Sequence, residues 1–340
     1  MISYLLRRIN LLILTSLVLS GLIYIATLNM PGDPVTNLSG ITNPTEPQRA
    51  QIVEQYRLDQ GMVRGYIAFV STRLSGDLGQ SQVSGATVAA ELSKTLPATL
   101  ELSLIALMLA LVVGVPLGIL AAGRTGLWPK LLWAMTLLSF SLPAFWLGIL
   151  LLITFGLDLD LLPPSGRLNL LYDVPYQTGF MLIDIPMSAA PWRWQALNDA
   201  MVHLVMPVMV MAALPTTLMI RTVRVSMLAE VEKPYIRALK ARGVAKLSLV
   251  INHAIPNSVA PMFRTMTLQL GPIASTLVVV ETIFNWPGIG SYLMSALYQG
   301  DYTALHSGII VMSVFIIVVS IVLEVAHALL NPVSRKEIHG

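Results

Sequence analysis

Catalysis needs side chains that attack, transfer protons or bind metal, and this chain is short of all three. Cysteine is absent, so there is no thiolate nucleophile, zinc–thiolate site or disulfide frame. The five histidines, His203, His253, His306, His327 and His339, share no ligand spacing and read as isolated interfacial or capping residues, not a metal site. No G-x-x-x-x-G-K-[ST] is present, so ATP has no P-loop in this chain. Gly288-Ile289-Gly290 lacks the third glycine and the preceding strand of a dinucleotide fingerprint. G-x-S-x-G and H-E-x-x-H are missing too. The chain therefore reads as no enzyme, with no cofactor or metal of its own. Energy for any work must come from another subunit or from an ion gradient.

What remains is the chemistry of charge in apolar surroundings. Glu281 sits inside an apolar run, and an ionisable group there faces a cavity or a partner, because placing it against lipid costs a few kcal/mol. It either lines a solute path and attracts a cationic group, or forms a structural pair at the membrane edge. Gln269, in the same run, is a second candidate for a polar path. Glu101 and Glu324 lie nearer the ends of apolar runs and read as solvated or paired.

The densest charge is basic, with eight Lys and Arg residues between Arg221 and Arg264. Here Pro234 can open a helix, with Tyr235, Ala238, Leu239 and Arg242 on one side and Arg237, Lys240 and Ala241 elsewhere. Gly243 breaks it, since glycine tolerates a positive φ just past a helix end. A second stripe follows at Val244, Leu247, Ile251, Ala254 and Ile255 and runs until Pro256. Two short amphipathic helices joined at a glycine suit either a basic hairpin on anionic lipid or a docking element for a partner.

These residues must be held by membrane-spanning elements. The 340-residue chain is 55% hydrophobic and 11% charged, with a mean hydropathy of +0.72. A soluble domain carries about 25% charged residues, so 21 basic and 18 acidic groups cannot clothe a water-facing surface of this size. A disordered or fibrous chain is excluded by the same composition. The net charge of +3 is too small for a nucleic-acid footprint.

An all-α integral membrane protein follows, with six apolar segments near the 20 residues a bilayer requires: Ile9–Asn29, Leu100–Ala122, Leu131–Phe155, His203–Arg221, Thr265–Phe284 and Ser307–Leu330. The first follows Arg7-Arg8 and shows no small-x-small cleavage site before Met30-Pro31-Gly32, so it reads as a retained span and not as a signal peptide. Pro116, Pro143, Pro207, Pro215 and Pro272 fall inside spans and argue for a packed bundle in which neighbours satisfy freed carbonyls. With both termini cytoplasmic, 14 of the 21 basic residues face inward, and the positive-inside rule sets that orientation.

The chain then divides into a tail and first span at 1–29, a periplasmic segment at 30–99, a five-span core at 100–330 and a cytoplasmic tail at 331–340. The core holds a periplasmic insert at 156–202 and the basic loop at 221–264. In the outer segment, Thr45-Glu46-Pro47-Gln48 starts a helix that is read through Tyr56-Arg57-Leu58, and Met62–Leu74 forms a second amphipathic stretch. Ala110, Gly114, Gly118 and Ala122 recur every four residues, which lets two backbones approach closely, either inside one bundle or at a dimer seam.

The Ala238…Gly243 spacing with Ile255-Pro256 downstream resembles the signature loop of permease subunits of binding-protein-dependent ABC importers. Met30-Pro31-Gly32-Asp33-Pro34, Ser75-Gly76-Asp77-Leu78-Gly79, Leu96-Pro97-Ala98-Thr99-Leu100-Glu101-Leu102, Ser141-Leu142-Pro143-Ala144-Phe145-Trp146 and Val280-Glu281-Thr282-Ile283-Phe284-Asn285-Trp286-Pro287-Gly288-Ile289-Gly290 resemble further blocks of its dipeptide and oligopeptide branch. The insert Leu168–Ala200 most resembles the Sap-type branch. The resemblance implies a six-span type I ABC importer permease fold with a cytoplasmic coupling helix, moving peptides or related cationic solutes across the bacterial inner membrane. It implies a homologous second permease subunit, two ATPase subunits that bind ATP and Mg, a periplasmic binding protein and the membrane lipid as partners, and no nucleic acid. Tyr235, Arg237, Ala238, Leu239, Lys240 and Gly243 are then the ATPase-docking residues. The family's usual Glu-Ala-Ala opening is Arg237-Ala238-Leu239 here, so the polar contact would be rebuilt around Arg237 or Lys240.

Overall fold

The computed structural model describes residues 2–123, 126–259 and 261–330. Among these, fifteen α-helices and no strand are found, and Gln80 and Thr87 form one isolated bridge. In chain order the helices are α1 (Ile2–Asn29), α2 (Pro34–Ser39), α3 (Glu46–Tyr56), α4 (Met62–Leu74), α5 (Val88–Ala121), α6 (Leu127–Ser141), α7 (Ala144–Leu151), α8 (Met181–Met187), α9 (Arg193–Val231), α10 (Pro234–Ala241), α11 (Lys246–Leu249), α12 (Ile255–Val259), α13 (Met262–Ile283), α14 (Ile289–Gln299) and α15 (Tyr302–Leu330).

Among the described residues, Ile9–Asn29 of α1, α5, α9 and Tyr302–Leu323 of α15 are each long and apolar enough to cross a bilayer. The expected span Leu131–Phe155 is built from α6 and the helical run Ala144–Asp158, which is α7 with a π-helical extension, and the two are bent by 100°. Pro143 causes the break: it has no N–H with which to continue α6, and it holds the preceding Leu142 extended at φ −84°, ψ 123°. The fifth expected segment lies in α13, whose apolar stretch is Leu270–Ile283. Helix α9 runs 39 residues through Pro207 and Pro215 without stopping, so it extends the expected His203–Arg221 span at both ends.

The chain forms two compact units. The first gathers the described residues up to Thr99 with Tyr176–Phe180 and Pro287–Val318. Its core joins Ile23 and Tyr24 of α1 to Val35, Leu38, Ile52, Tyr56 and Phe69 of α2, α3 and α4. Gln48 accepts hydrogen bonds from both the amide and the hydroxyl of Thr45 (2.9 Å each), which sets the start of α3. That helix stops at Tyr56, earlier than the sequence suggests, because Arg57 turns to φ +51°. The buried Asp301 carboxylate opens α15, accepting from the Ser81 hydroxyl (2.6 Å) and the Ala304 amide (3.0 Å).

The second unit gathers the described residues of Leu100–Pro175 and Met181–Trp286 and those from Val319 to Leu330. Helix α9 is its axis and touches α6, α7, α8, α12 and α13. Accordingly 67% of its apolar window is buried, against 17% for α1. Gly114 and Gly118 of α5 meet α9 directly: a Cβ on Gly114 would stand 2.7 Å from Met219 Cβ, and one on Gly118 2.8 Å from Val223 Cβ. Ala110 on the same stripe is fully buried. This stripe of small residues thus packs within one chain.

Candidate docking site

Tyr235, Arg237, Ala238, Leu239 and Lys240 all lie on α10, and Gly243 follows it. Lys233, extended at φ −63°, ψ 147°, delivers the chain into Pro234 at the first turn. Proline suits that place because its fixed φ is helical and its missing N–H would be unpaired anyway. At the other end Gly243 adopts φ +84°. Its amide donates to the Lys240 carbonyl (3.1 Å), and the Val244 amide donates to the Leu239 carbonyl (3.2 Å). That pair of bonds is the Schellman arrangement. A Cβ at Gly243 would meet nothing within 4 Å, so the constraint is the dihedral and not the space.

The spacing groups Tyr235, Ala238, Leu239 and Arg242 on one side of α10, and the structure adds which residue is buried. Ile236, 3% exposed, is the residue it buries, with Leu239 half-buried beside it. Tyr235, Arg237, Ala238, Lys240 and Arg242 are exposed. Beyond Gly243 the chain runs through α11, a π-helical turn at Val250–Ala254 and α12. Leu247 and Ile251 of the expected stripe are exposed, whereas Leu249, Ala254 and Ser258 are buried. Pro256 does not end the helix. It lacks an N–H for the carbonyl four residues earlier, and the turn ahead of it widens to π geometry. Between α10 and this second arm lies a cavity of about 570 Å³, lined by Ile236, Arg237, Lys240, Val244, Leu249 and Ala254, among others.

A polar cluster missed by sequence reasoning ties α10 to α9. The buried Glu230 carboxylate, on the last turn of α9, accepts from the Tyr235 hydroxyl, from Asn257 Nδ2 (3.2 Å) and from Lys233 Nζ (2.6 Å). Asn257 Nδ2 also donates to the Tyr235 hydroxyl (3.0 Å). The hydrogen bond to Glu230 holds the Lys233 ammonium above its ordinary pKa. Burial, then the same carboxylate, raises the Tyr235 phenol. Arg237 Nε donates to the Glu232 carbonyl (3.0 Å) at the end of α9. The one sequence signal for the cluster was Glu230 three residues ahead of Lys233, a helical neighbour spacing. The cluster holds α10 against the end of α9, while Arg237 and Lys240 stay exposed.

The remaining candidates are dispersed. Glu281 is 0% exposed and is not without interaction partners inside the chain. Any solute path must open before that carboxylate can meet a solute. The Gln269 and Glu324 side chains lie outside the described residues. Glu101 is buried and paired with Arg167. It also accepts from the Leu182 amide (2.8 Å), while Arg167 stacks over the Trp286 ring at 5.3 Å. Among the histidines, His203 Nδ1 lies 3.2 Å from the Asp199 carboxylate, and His306 Nδ1 lies 2.8 Å from the Thr27 hydroxyl.

Residues 114–336 match the family described as "Binding-protein-dependent transport system inner membrane component". The peptide transport system permease protein SapB of Salmonella typhimurium is 37% identical over 265 residues, covering 78% of this chain and 83% of its own. The di/tripeptide transport system permease protein DppB of Pseudomonas aeruginosa is 34% identical over 338 residues, covering 99% of this chain and 100% of its own. The putrescine export system permease protein SapB of Escherichia coli K12 is 36% identical over 262 residues, covering 77% of this chain and 82% of its own. With its all-helical architecture and several apolar helices, the chain belongs to the inner-membrane permease subunits of binding-protein-dependent ABC transporters, a family of the type I importer fold that works with ATPase and substrate-binding partners.

Proposed function

We propose that this chain is half of the transmembrane pathway of an ABC importer for peptides or related cationic solutes. A homologous permease subunit completes the pathway, two ATPase subunits carry ATP and Mg, and a periplasmic binding protein delivers the solute. Both termini lie in the cytoplasm. The observation that carries this reading is α10: it buries Ile236, is locked to α9 through Glu230, and presents Arg237, Ala238 and Lys240 outward. ATP-driven closure of the ATPase pair displaces α10. The Glu230 cluster passes that displacement to α9, and the spans alternate between two states whose balance the nucleotide sets. The peptide systems named among the relatives support the solute class.

The test uses the assembled complex in proteoliposomes. Ala238→Asp places a new charge on the outer face of α10, and Gly243→Pro cannot adopt φ +84°. Each is expected to abolish uptake and binding-protein-stimulated ATP hydrolysis while the subunits still co-purify. Survival of both activities in Ala238→Asp would sink the coupling assignment. Ion-driven uptake by this chain without any ATPase would instead make it a secondary transporter.

The relative named as a putrescine export permease favours a second reading, outward movement of a polyamine through the same machinery. Inside-out vesicles separate the two. ATP-dependent accumulation of putrescine in them supports export, and accumulation of peptide in right-side-out vesicles supports import.

A further inference from the structure

The outer-segment helix α4 is amphipathic in an unusual sense: its exposed face is the apolar one. Val63, Ile67 and Leu74 are 73%, 59% and 83% exposed, and with half-buried Val70 they fall within an arc of about 60° on a helical wheel. Gly65, Ala68 and Phe69, on the opposite side, are buried against the protein. In water such a stripe is a liability.

Its depth follows from its contacts with α1. The Tyr66 hydroxyl donates to the Leu17 carbonyl (2.8 Å) and lies 3.0 Å from the Ser20 hydroxyl. Gly65 meets Tyr24 so closely that a Cβ there would stand 2.2 Å from the Tyr24 hydroxyl, and the Phe69 ring lies 5.4 Å from that of Tyr24. These partners lie inside the apolar span Ile9–Asn29. At 1.5 Å per residue, Tyr24 is about 8 Å and Leu17 about 18 Å from the Asn29 end, in a hydrocarbon layer about 30 Å thick. The polar residues fit the same placement. Exposed Arg64 and Ser71 project about 160° and 140° around the helix from Tyr66. With Tyr66 reaching toward the middle of the span, they point back toward the headgroups.

We propose that α4 lies in the outer leaflet of the membrane, with acyl chains packed on Val63, Ile67, Val70 and Leu74 and with Arg64 at the headgroup level. The segment between the first two spans is thus partly a membrane-embedded element, and lipid is the partner that covers this face. The proposal rests on α1 as a span and is independent of the coupling assignment.

The absence of cysteine makes the test direct. In the purified complex in proteoliposomes, a bimane label is placed on Ile67→Cys, Val63→Cys, Arg64→Cys or Gln51→Cys, the last on the exposed surface of α3. The signal from the complex carrying the cysteine-free chain is subtracted. Acyl-brominated lipids are expected to quench the labels at positions 67 and 63, with little quenching at position 51 and an intermediate value at position 64. In native membranes, an impermeant maleimide followed by capture of this chain should label the Ile67→Cys variant at least about tenfold more slowly than the Gln51→Cys variant, because apolar surroundings suppress the thiolate. Labelling of Ile67→Cys as fast as Gln51→Cys overturns the proposal. Protection of Ile67→Cys without bromine quenching overturns it as well, since another protein would then cover the stripe.

Discussion

Helices α4 and α10 are built to the same plan and turned to opposite uses. Both are short, both bury a narrow side against their own unit, and both leave a broad face uncovered. On α10 the buried residue is Ile236 and the open face carries Arg237, Lys240 and Arg242. On α4 the buried side is Gly65, Ala68 and Phe69, and the open face carries Val63, Ile67 and Leu74. Amphipathicity alone therefore does not say which face is inside. The two uncovered faces differ in chemistry, basic on α10 and apolar on α4, and the partners proposed above differ with them: a protein surface for α10 and hydrocarbon for α4.

The comparison can be broken most forcefully at α4. Ile67→Asp puts a carboxylate into hydrocarbon and should cost about 3 kcal/mol, seen as a loss of this chain from the membrane fraction. The matched change Lys240→Asp on α10 should leave membrane levels unchanged while lowering stimulated ATP hydrolysis. Equal membrane levels for the two variants would erase the distinction between the faces.

A smaller effect separates close approach from surface chemistry. Gly65→Ala drives a methyl into the Tyr24 hydroxyl and should destabilise by about 2 kcal/mol through overpacking, measured as a fall in the thermal midpoint of the purified complex. Adding Tyr24→Phe removes the obstructing oxygen and should recover part of that loss. No recovery would mean that α4 and α1 are not in contact as described.

On α10 the corresponding lock is weaker. Tyr235→Phe removes the hydroxyl that bridges Glu230 and Asn257 and should cost about 1 kcal/mol. It should reduce the uptake obtained per ATP hydrolysed more than hydrolysis itself. Unchanged coupling would reduce the Glu230 cluster to a local tie.

Lys233→Ala should have the least effect, below about 1 kcal/mol, because the Lys233 side chain is 53% exposed and its ion pair is screened. The pKa of Lys233 is raised from 10.5 in the folded chain. Its contribution is therefore fully present below pH 10.5 and is lost as pH rises through the higher folded value. The difference between Lys233→Ala and the parent should stay constant from about pH 6 to 9 in thermal melts and shrink only above that window. A difference that changes inside the window would assign the linkage to another group.

Much of this protein was legible as a string. Apolar runs of membrane length need no partner to be recognised, and Gly243 after an eight-residue amphipathic stretch announces a turn that only a glycine makes cheaply. Other features were not legible, for identifiable reasons. Leu131–Phe155 has the composition of one span, but Pro143 withholds a single N–H and turns it through 100°. Hydropathy sums side chains and does not register a missing backbone donor. Which face α10 buries was not legible either, because Ile236 looks like any apolar residue at helical spacing until α9 and the second arm stand beside it. That Glu101 is solvated or paired could be read from its place in the chain, but its partner Arg167, 66 residues away, is identified only once the loop between them has folded.

By itself, the sequence determined that this chain lives in a membrane, that scarce charge gathers in one loop, and that glycine and proline punctuate that loop. Those properties depend on residue type and spacing, which are local. Tertiary structure alone decided that the stripe of small residues in α5 packs on α9, that Glu230, Tyr235 and Asn257 meet, and that the apolar face of α4 turns outward at the depth of a spanning helix. Each of these depends on which surfaces compete for burial, and that competition is settled only when the distant segments of each unit are in place.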